Sequence, residues 1–68
     1  MFPAASDLYY FVEAVSSLNL SRASEKLGIS QPSLSMAVQR LENLVGAPLL
    51  IRSKKGVMPT QAGKQLYL

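Results

Sequence analysis

Neither cysteine nor histidine occurs anywhere in these 68 residues. Without cysteine there is no disulfide framework to brace a small fold and no thiolate metal site. Without either residue the usual nucleophiles, general bases and zinc ligands are missing. Four carboxylates remain, Asp7, Glu13, Glu25 and Glu42. They are scattered along the chain, each in a helix-like context, and read as solvated helix faces rather than as a catalytic pair. An enzyme is not expected, nor a metal or other cofactor. Long apolar runs are also absent: Leu8 to Val12 and Leu49 to Ile51 are far too short to span a bilayer. Met1-Phe2-Pro3 leads into neither a basic segment nor the apolar core of a secretory signal, so the expected compartment is the cytoplasm.

What is present is a globular composition, 49% apolar, in a length that makes one small domain. A chain this short buries only about 60% of the surface that its unfolded form exposes, so its core is thin. The net charge of +3 is unevenly placed. Up to residue 45, Arg22, Lys26 and Arg40 face four acids, a net of −1. From residue 46 onward, Arg52, Lys54, Lys55 and Lys64 face none, a net of +4. A basic end on a small domain is the electrostatic footprint of a nucleic-acid partner.

Along the chain, the first helix is predicted to start near Ser6, an N-cap type, with Asp7 favouring the positive end of the helix dipole. Leu8, Phe11, Val12 and Val15 recur at helical spacing, Tyr9 and Tyr10 flank the stripe at the core edge, and Ser16-Ser17 ends the segment. Asn19 or Ser21 caps a shorter second helix that turns Ala23 and Leu27 inward and stops at Gly28. Ser30 caps a third, with Pro32 in its first turn, where a missing N–H costs nothing. Leu34, Val38, Leu41 and Val45 give that helix its apolar face, and Gly46 with Pro48 ends it. The period then changes. Leu49-Leu50-Ile51 reads as a strand, Ser53-Lys54-Lys55-Gly56 as a turn and Val57-Met58 as the returning strand. Thr60 caps a fourth helix running from Gln61 to Leu68. No internal repeat or low-complexity segment interrupts this order.

Two short helices joined by a tight glycine turn make a helix-turn-helix when several conditions hold together. Small residues are needed where the axes approach, and Ala23 and Ser24 supply them. Gly28 breaks the first helix, while Ala23, Leu27, Ile29, Leu34 and Ala37 are placed to fill the angle between the two. In such a motif the start of the second helix lies in the major groove. Here it presents Gln31, Pro32, Ser33 and Ser35. A glutamine amide can pair with adenine through both of its polar atoms, a serine can donate or accept, and Pro32 and Met36 offer apolar contact to a thymine methyl. The hairpin that follows reads as a wing, with Lys54 and Lys55 at its tip and Arg52 able to fork onto a phosphate.

The pattern Gln31-Pro32-x-x-Ser35, Leu41-Glu42, Gly46-x-x-Leu49-x-x-Arg52 and Thr60-x-Ala62-Gly63 resembles the N-terminal domain of LysR-type bacterial transcription regulators. The resemblance extends from Asp7 to Gly63 and takes in Leu8, Phe11-Val12, Ser21-Arg22-Ala23 and Leu27 through Ser35. It implies a mostly α fold: a three-helix winged helix-turn-helix with a short two-stranded wing over residues 1–59, and over residues 60–68 the start of a linker helix that pairs subunits. It further implies a homodimer or dimer of dimers on interrupted inverted repeats of double-stranded DNA, at the nucleoid. A small-molecule effector would act only through a separate sensing domain of two α/β lobes. The candidate DNA-contacting set is Ser21, Gln31, Pro32, Ser33, Ser35, Met36, Arg52, Lys54, Lys55 and Thr60. Three positions depart from the family pattern. Ser24 stands for a second alanine and brings a hydroxyl to satisfy. Met36 stands where a polar or basic contact is common. Pro59 stands for a leucine and, lacking an N–H, is expected to end the second wing strand early. The rival reading is a winged helix used as a protein-interaction module through an exposed Tyr9-Tyr10 face.

Overall fold

The computed structural model describes residues 5–67. The Met1-Phe2-Pro3 segment and Leu68 lie outside the described residues. The elements are α1 (Ala5–Ser17), α2 (Leu20–Leu27), α3 (Gln31–Val45), β1 (Leu50–Ser53), β2 (Gly56–Pro59) and α4 (Gln61–Tyr67). This is the predicted order, mostly helical with a single antiparallel hairpin.

The helix limits follow local chemistry. Asn19, rather than Ser21, caps α2: its side-chain oxygen accepts the Arg22 N–H at 2.9 Å. At the other end Gly28 takes φ 70°, and the N–H groups of Gly28 and Ile29 return to the carbonyls of Glu25 and Ser24. That paired return is a Schellman closure, which depends on a residue without a Cβ penalty in the left-handed region. Ser30 caps α3 by accepting the Ser33 N–H, with Pro32 in the first turn.

Helix α1 lies across both α2 and α3. Among the described residues Phe11, Leu34, Val38, Leu41 and Leu49 are the largest fully buried side chains, and they form one core with Ala14, Val15, Leu20, Ala23, Leu50 and Val57. Leu27 and Ile29 fill the edge of the angle between α2 and α3. Two expected core positions face water instead: Val12 is 38% and Val45 47% exposed. The buried stripe of α1 runs Asp7, Phe11, Ala14, Val15, which leaves Val12 one step around the helix. Val45 ends α3 just before the left-handed Gly46, where the chain has left the core. Tyr10 packs against the core, whereas Tyr9 is 62% exposed.

The carboxylates depart most from expectation. Ser6 lies within α1 instead of capping it, and Asp7 in the first turn is buried. Arg40 of α3 grips it through Nη2–Oδ1 at 2.9 Å and Nε–Oδ2 at 3.1 Å. This planar fork matches a carboxylate. Asp7 in turn raises the pKa of the guanidinium above its ordinary value, through the hydrogen bond first and its charge second. Glu13 accepts from Lys26 Nζ at 3.1 Å and from the Ser17 hydroxyl, joining α1 to α2. Glu42 reaches out of α3, and its Oε2 accepts the N–H groups of Leu49 at 2.8 Å and Leu50 at 3.3 Å. Only Glu25 keeps the solvated role expected of all four.

Glu42 therefore holds the chain where it turns from α3 into the hairpin. Bonds to an ionised acceptor are the stronger kind. Glu42→Ala removes both and is expected to cost about 2 kcal/mol. That corresponds to a melting temperature about 8–16 °C lower for a domain of this size. Thermal unfolding followed by circular dichroism checks this, and a shift of less than about 2 °C would refute the role.

The hairpin pairs Leu50 with Pro59, Ile51 with Met58, Arg52 with Val57 and Ser53 with Gly56. Pro59 does not shorten β2 as expected; it is the last paired residue of the strand. The reason lies in the alternation of an antiparallel ladder. The Val57 N–H points away from β1, to the Leu18 carbonyl at 3.1 Å, and the Thr60 N–H reaches Leu49 O at 3.0 Å. Pro59, two residues from Val57, also turns its nitrogen away from β1, so no ladder bond is lost. Leu49 precedes β1 but is fully buried beside it.

Candidate nucleic-acid interface

Residues at the start of α3 are held by short local bonds. The Ser30 hydroxyl accepts the Ser33 N–H and donates to Ser33 Oγ at 2.8 Å. Gln31, Pro32 and Ser33 are exposed and Ser35 is half-buried. Met36, one turn beyond Pro32, is 58% exposed, so both apolar candidates stand on one outward face. Ser24, the small-for-small departure, is buried and its hydroxyl donates to Ser21 O at 2.8 Å, so the extra polar group is satisfied.

The wing sits beside this helix start. Arg52 shares a face of the hairpin with Val57, the face turned toward the helices, while Ile51 and Met58 occupy the outer one. Lys54 and Lys55 form the tip between Ser53 and Gly56, both exposed. Gly56 adopts φ 131°, and its α-carbon lies so close to the Leu18 carbonyl that no Cβ fits between them. That contact and the Val57–Leu18 bond seat the wing against the junction of α1 and α2.

An open groove results. The α2 and α3 starts contribute Asn19, Leu20, Ser21 and Gln31, and the wing contributes Arg52 through Val57. Three cations and no carboxylate line it. Of the candidate residues, the structure brings Ser21, Gln31, Arg52, Lys54 and Lys55 together here, and sets Pro32, Ser33, Ser35 and Met36 along the same helix. Thr60 is different. Its hydroxyl donates to Pro48 O at 2.6 Å and accepts the Gly63 N–H at 3.0 Å, which commits it to capping α4. Sequence reasoning missed Asn19 and Ser53 as groove residues; the N-cap at Asn19 was the available signal, since it places the start of α2. It also missed a bond between two candidates: Ser21 Oγ donates to Gln31 Oε1 at 2.9 Å. The amide oxygen on which adenine pairing depends is engaged by α2.

Among the described residues, no cluster of acidic side chains offers a metal site, and no helix is long and apolar enough to cross a membrane. Three helices with a Schellman turn between the second and third, followed by a basic hairpin docked on the first, define a winged helix-turn-helix. Residues 5–64 match the sequence profile of the bacterial regulatory helix-turn-helix protein, LysR family. The chain belongs to that family. It is 54% identical over 57 residues to the Hca operon transcriptional activator HcaR of Escherichia coli K12, a match covering 84% of this chain and 19% of that protein. The chain spans about a fifth of the length of the first curated relatives it matches. Its fold superposes on Corynebacterium glutamicum OxyR (C206S mutant, H2O2-bound) with a TM-score of 0.94 at 39% identity, covering 98% of this chain and 22% of that one. On the CbnR DBD–DNA complex the TM-score is 0.87 at 34% identity, covering 91% and 71%.

Proposed function

We propose that this chain is the operator-reading part of a LysR-type transcription regulator, binding double-stranded DNA with the start of α3 in the major groove. The observation that carries this reading is the carboxylate-free groove in which Arg52, Lys54 and Lys55 converge beside the exposed Gln31 end of α3. In this arrangement the wing cations hold the sugar–phosphate backbone or the adjacent minor groove, while Gln31, Pro32, Ser33, Ser35 and Met36 face base edges. Ser21 and Thr60 act mainly through the residues they bond. No catalytic step is assigned to any residue. In this proposal α4 is the start of the linker helix that pairs subunits, and regulation by a small molecule belongs to a separate sensing domain.

A titration of a random-sequence duplex, followed by fluorescence anisotropy at several salt concentrations, tests the reading. A single domain is expected to bind with an affinity on the order of 10⁻⁴–10⁻⁶ M and to weaken steeply with salt. Removing one tip lysine, as in Lys54→Ala, is expected to weaken binding to all sequences alike and to reduce the salt slope by about 0.9. A folded sample that binds no duplex at low salt would sink the proposal and favour protein interaction through the exposed Tyr9 face.

A further inference from the structure

Helix α3 carries two charged residues, Arg40 and Glu42, and both are committed to partners within the fold. Arg40 forks onto Asp7 of α1, and Glu42 turns back to the N–H groups of Leu49 and Leu50. The exposed surface of α3 from Gln31 to Gln39 is therefore neutral. On it Met36 is 58% exposed, and Pro32 stands one turn before it on the same face. A thioether donates no hydrogen bond and accepts only weakly. Met36 is thus blind to the donor and acceptor pattern of base edges, and what it can recognise there is apolar surface. The major groove offers one apolar group, the methyl on C5 of thymine. In 5-methylcytosine the same group sits on the same ring carbon, whereas cytosine and uracil lack it.

We propose that Met36 is a specificity-determining residue that makes DNA binding depend on a pyrimidine C5 methyl group, so that thymine is favoured over uracil and 5-methylcytosine over cytosine. This rests on the DNA-binding reading above and deepens it, by naming the chemical group that one side chain selects. The flexible, polarisable side chain of Met36 packs over the methyl, and the Pro32 ring forms an apolar wall beside it. Such a contact involves no charge. It is separate from the hold of the wing cations on the backbone, so salt that weakens binding overall leaves the methyl preference unchanged.

The test compares duplexes that differ only in that methyl group. Selection from a randomised pool by this chain and by Met36→Ala locates the position that Met36 reads. Thymine is expected to be enriched there, and the enrichment to be lost in the variant. At that position thymine is exchanged for uracil and, separately, cytosine for 5-methylcytosine, with binding followed by fluorescence anisotropy. Within each pair the methylated duplex is expected to bind about fourfold more tightly, the scale of burying one methyl-sized group. Met36→Ala should bring both ratios close to one. Met36→Leu, which stays apolar, should keep them, and Met36→Gln, of similar length but polar, should lose them. All three replacements are good helix formers at an exposed position, so the fold is retained, which circular dichroism verifies. No thymine enrichment that depends on Met36, ratios near one in the unaltered chain, or ratios unmoved by Met36→Ala overturns the proposal and leaves DNA binding standing. Ratios lost in Pro32→Ala but kept in Met36→Ala assign the methyl to Pro32 and overturn it equally. Absence of binding to any duplex refutes the DNA reading itself.

Discussion

Replacing Gly56 with alanine is expected to destabilise the domain by about 3 kcal/mol and to lift the wing off the helices. Two independent effects add here. The backbone at Gly56 holds φ 131°, a region that L side chains rarely occupy, and forcing a residue there costs on the order of 1–3 kcal/mol. A Cβ would also collide with the Leu18 carbonyl, which is main chain and has no flexible end to move aside. Overpacking of that kind typically costs about 1–3 kcal/mol more. The chain escapes only by separating Gly56 from Leu18, and the Val57–Leu18 hydrogen bond goes with that contact. Amide hydrogen exchange is the sensitive readout. The Val57 N–H should lose protection well before the amides of Leu34 and Val38 in the middle of α3. In the same variant the salt slope of DNA binding should fall as if wing lysines had been removed, since Lys54 and Lys55 no longer stand beside Gln31. Unchanged protection at Val57 in a Gly56→Ala protein would show that the seat of the wing has been placed wrongly.

The second large effect is expected at Phe11. It is fully buried, contributed by α1 to the centre of the core shared with α2, α3 and the hairpin. Truncation of a buried phenylalanine costs about 3–5 kcal/mol through lost transfer energy and the cavity left behind. A domain of this size has a total stability of roughly 3–10 kcal/mol. Phe11→Ala is therefore expected to leave a substantial fraction of the chain unfolded at 25 °C, with a broad, early melt. Tyr9→Ala, two residues away but 62% exposed, should stay within about 0.5 kcal/mol of the parent. The contrast separates burial from aromatic character. Urea titrations of both variants give the comparison, and a Phe11→Ala loss below about 1 kcal/mol would contradict the assigned core.

Much of the architecture was legible in the sequence because its signals are local. The turn of the helix-turn-helix is written in Gly28, Ser30 and Pro32, whose backbone preferences act within one helical turn. The caps at Ser30 and Gly46 and the tip of the wing were readable for the same reason. Apolar periodicity found α1 and its buried Phe11 and Val15, but misplaced one edge of the stripe. Val12 and Ala14 exchange roles because hydrophobic character alone does not say which of two adjacent stripes the partner helices cover. Pro59 was misjudged for a related reason. A missing N–H matters only on the side of the strand that pairs, and that side depends on register.

The sequence by itself determined the order of elements, the helix-turn-helix, the basic end and the residues available to face a partner. All of these follow from residue types and from neighbours a few positions apart. Tertiary structure alone decided the long-range pairings: Asp7 with Arg40 across α1 and α3, the Leu18 carbonyl with Val57, and Ser21 with Gln31. It thereby decided which carboxylates are structural, where the wing stands and which atoms of the reading helix remain free. The physical reason is that a hydrogen bond needs its partners within about 3 Å and correctly aimed, and chain separation says nothing about either until the helices have packed.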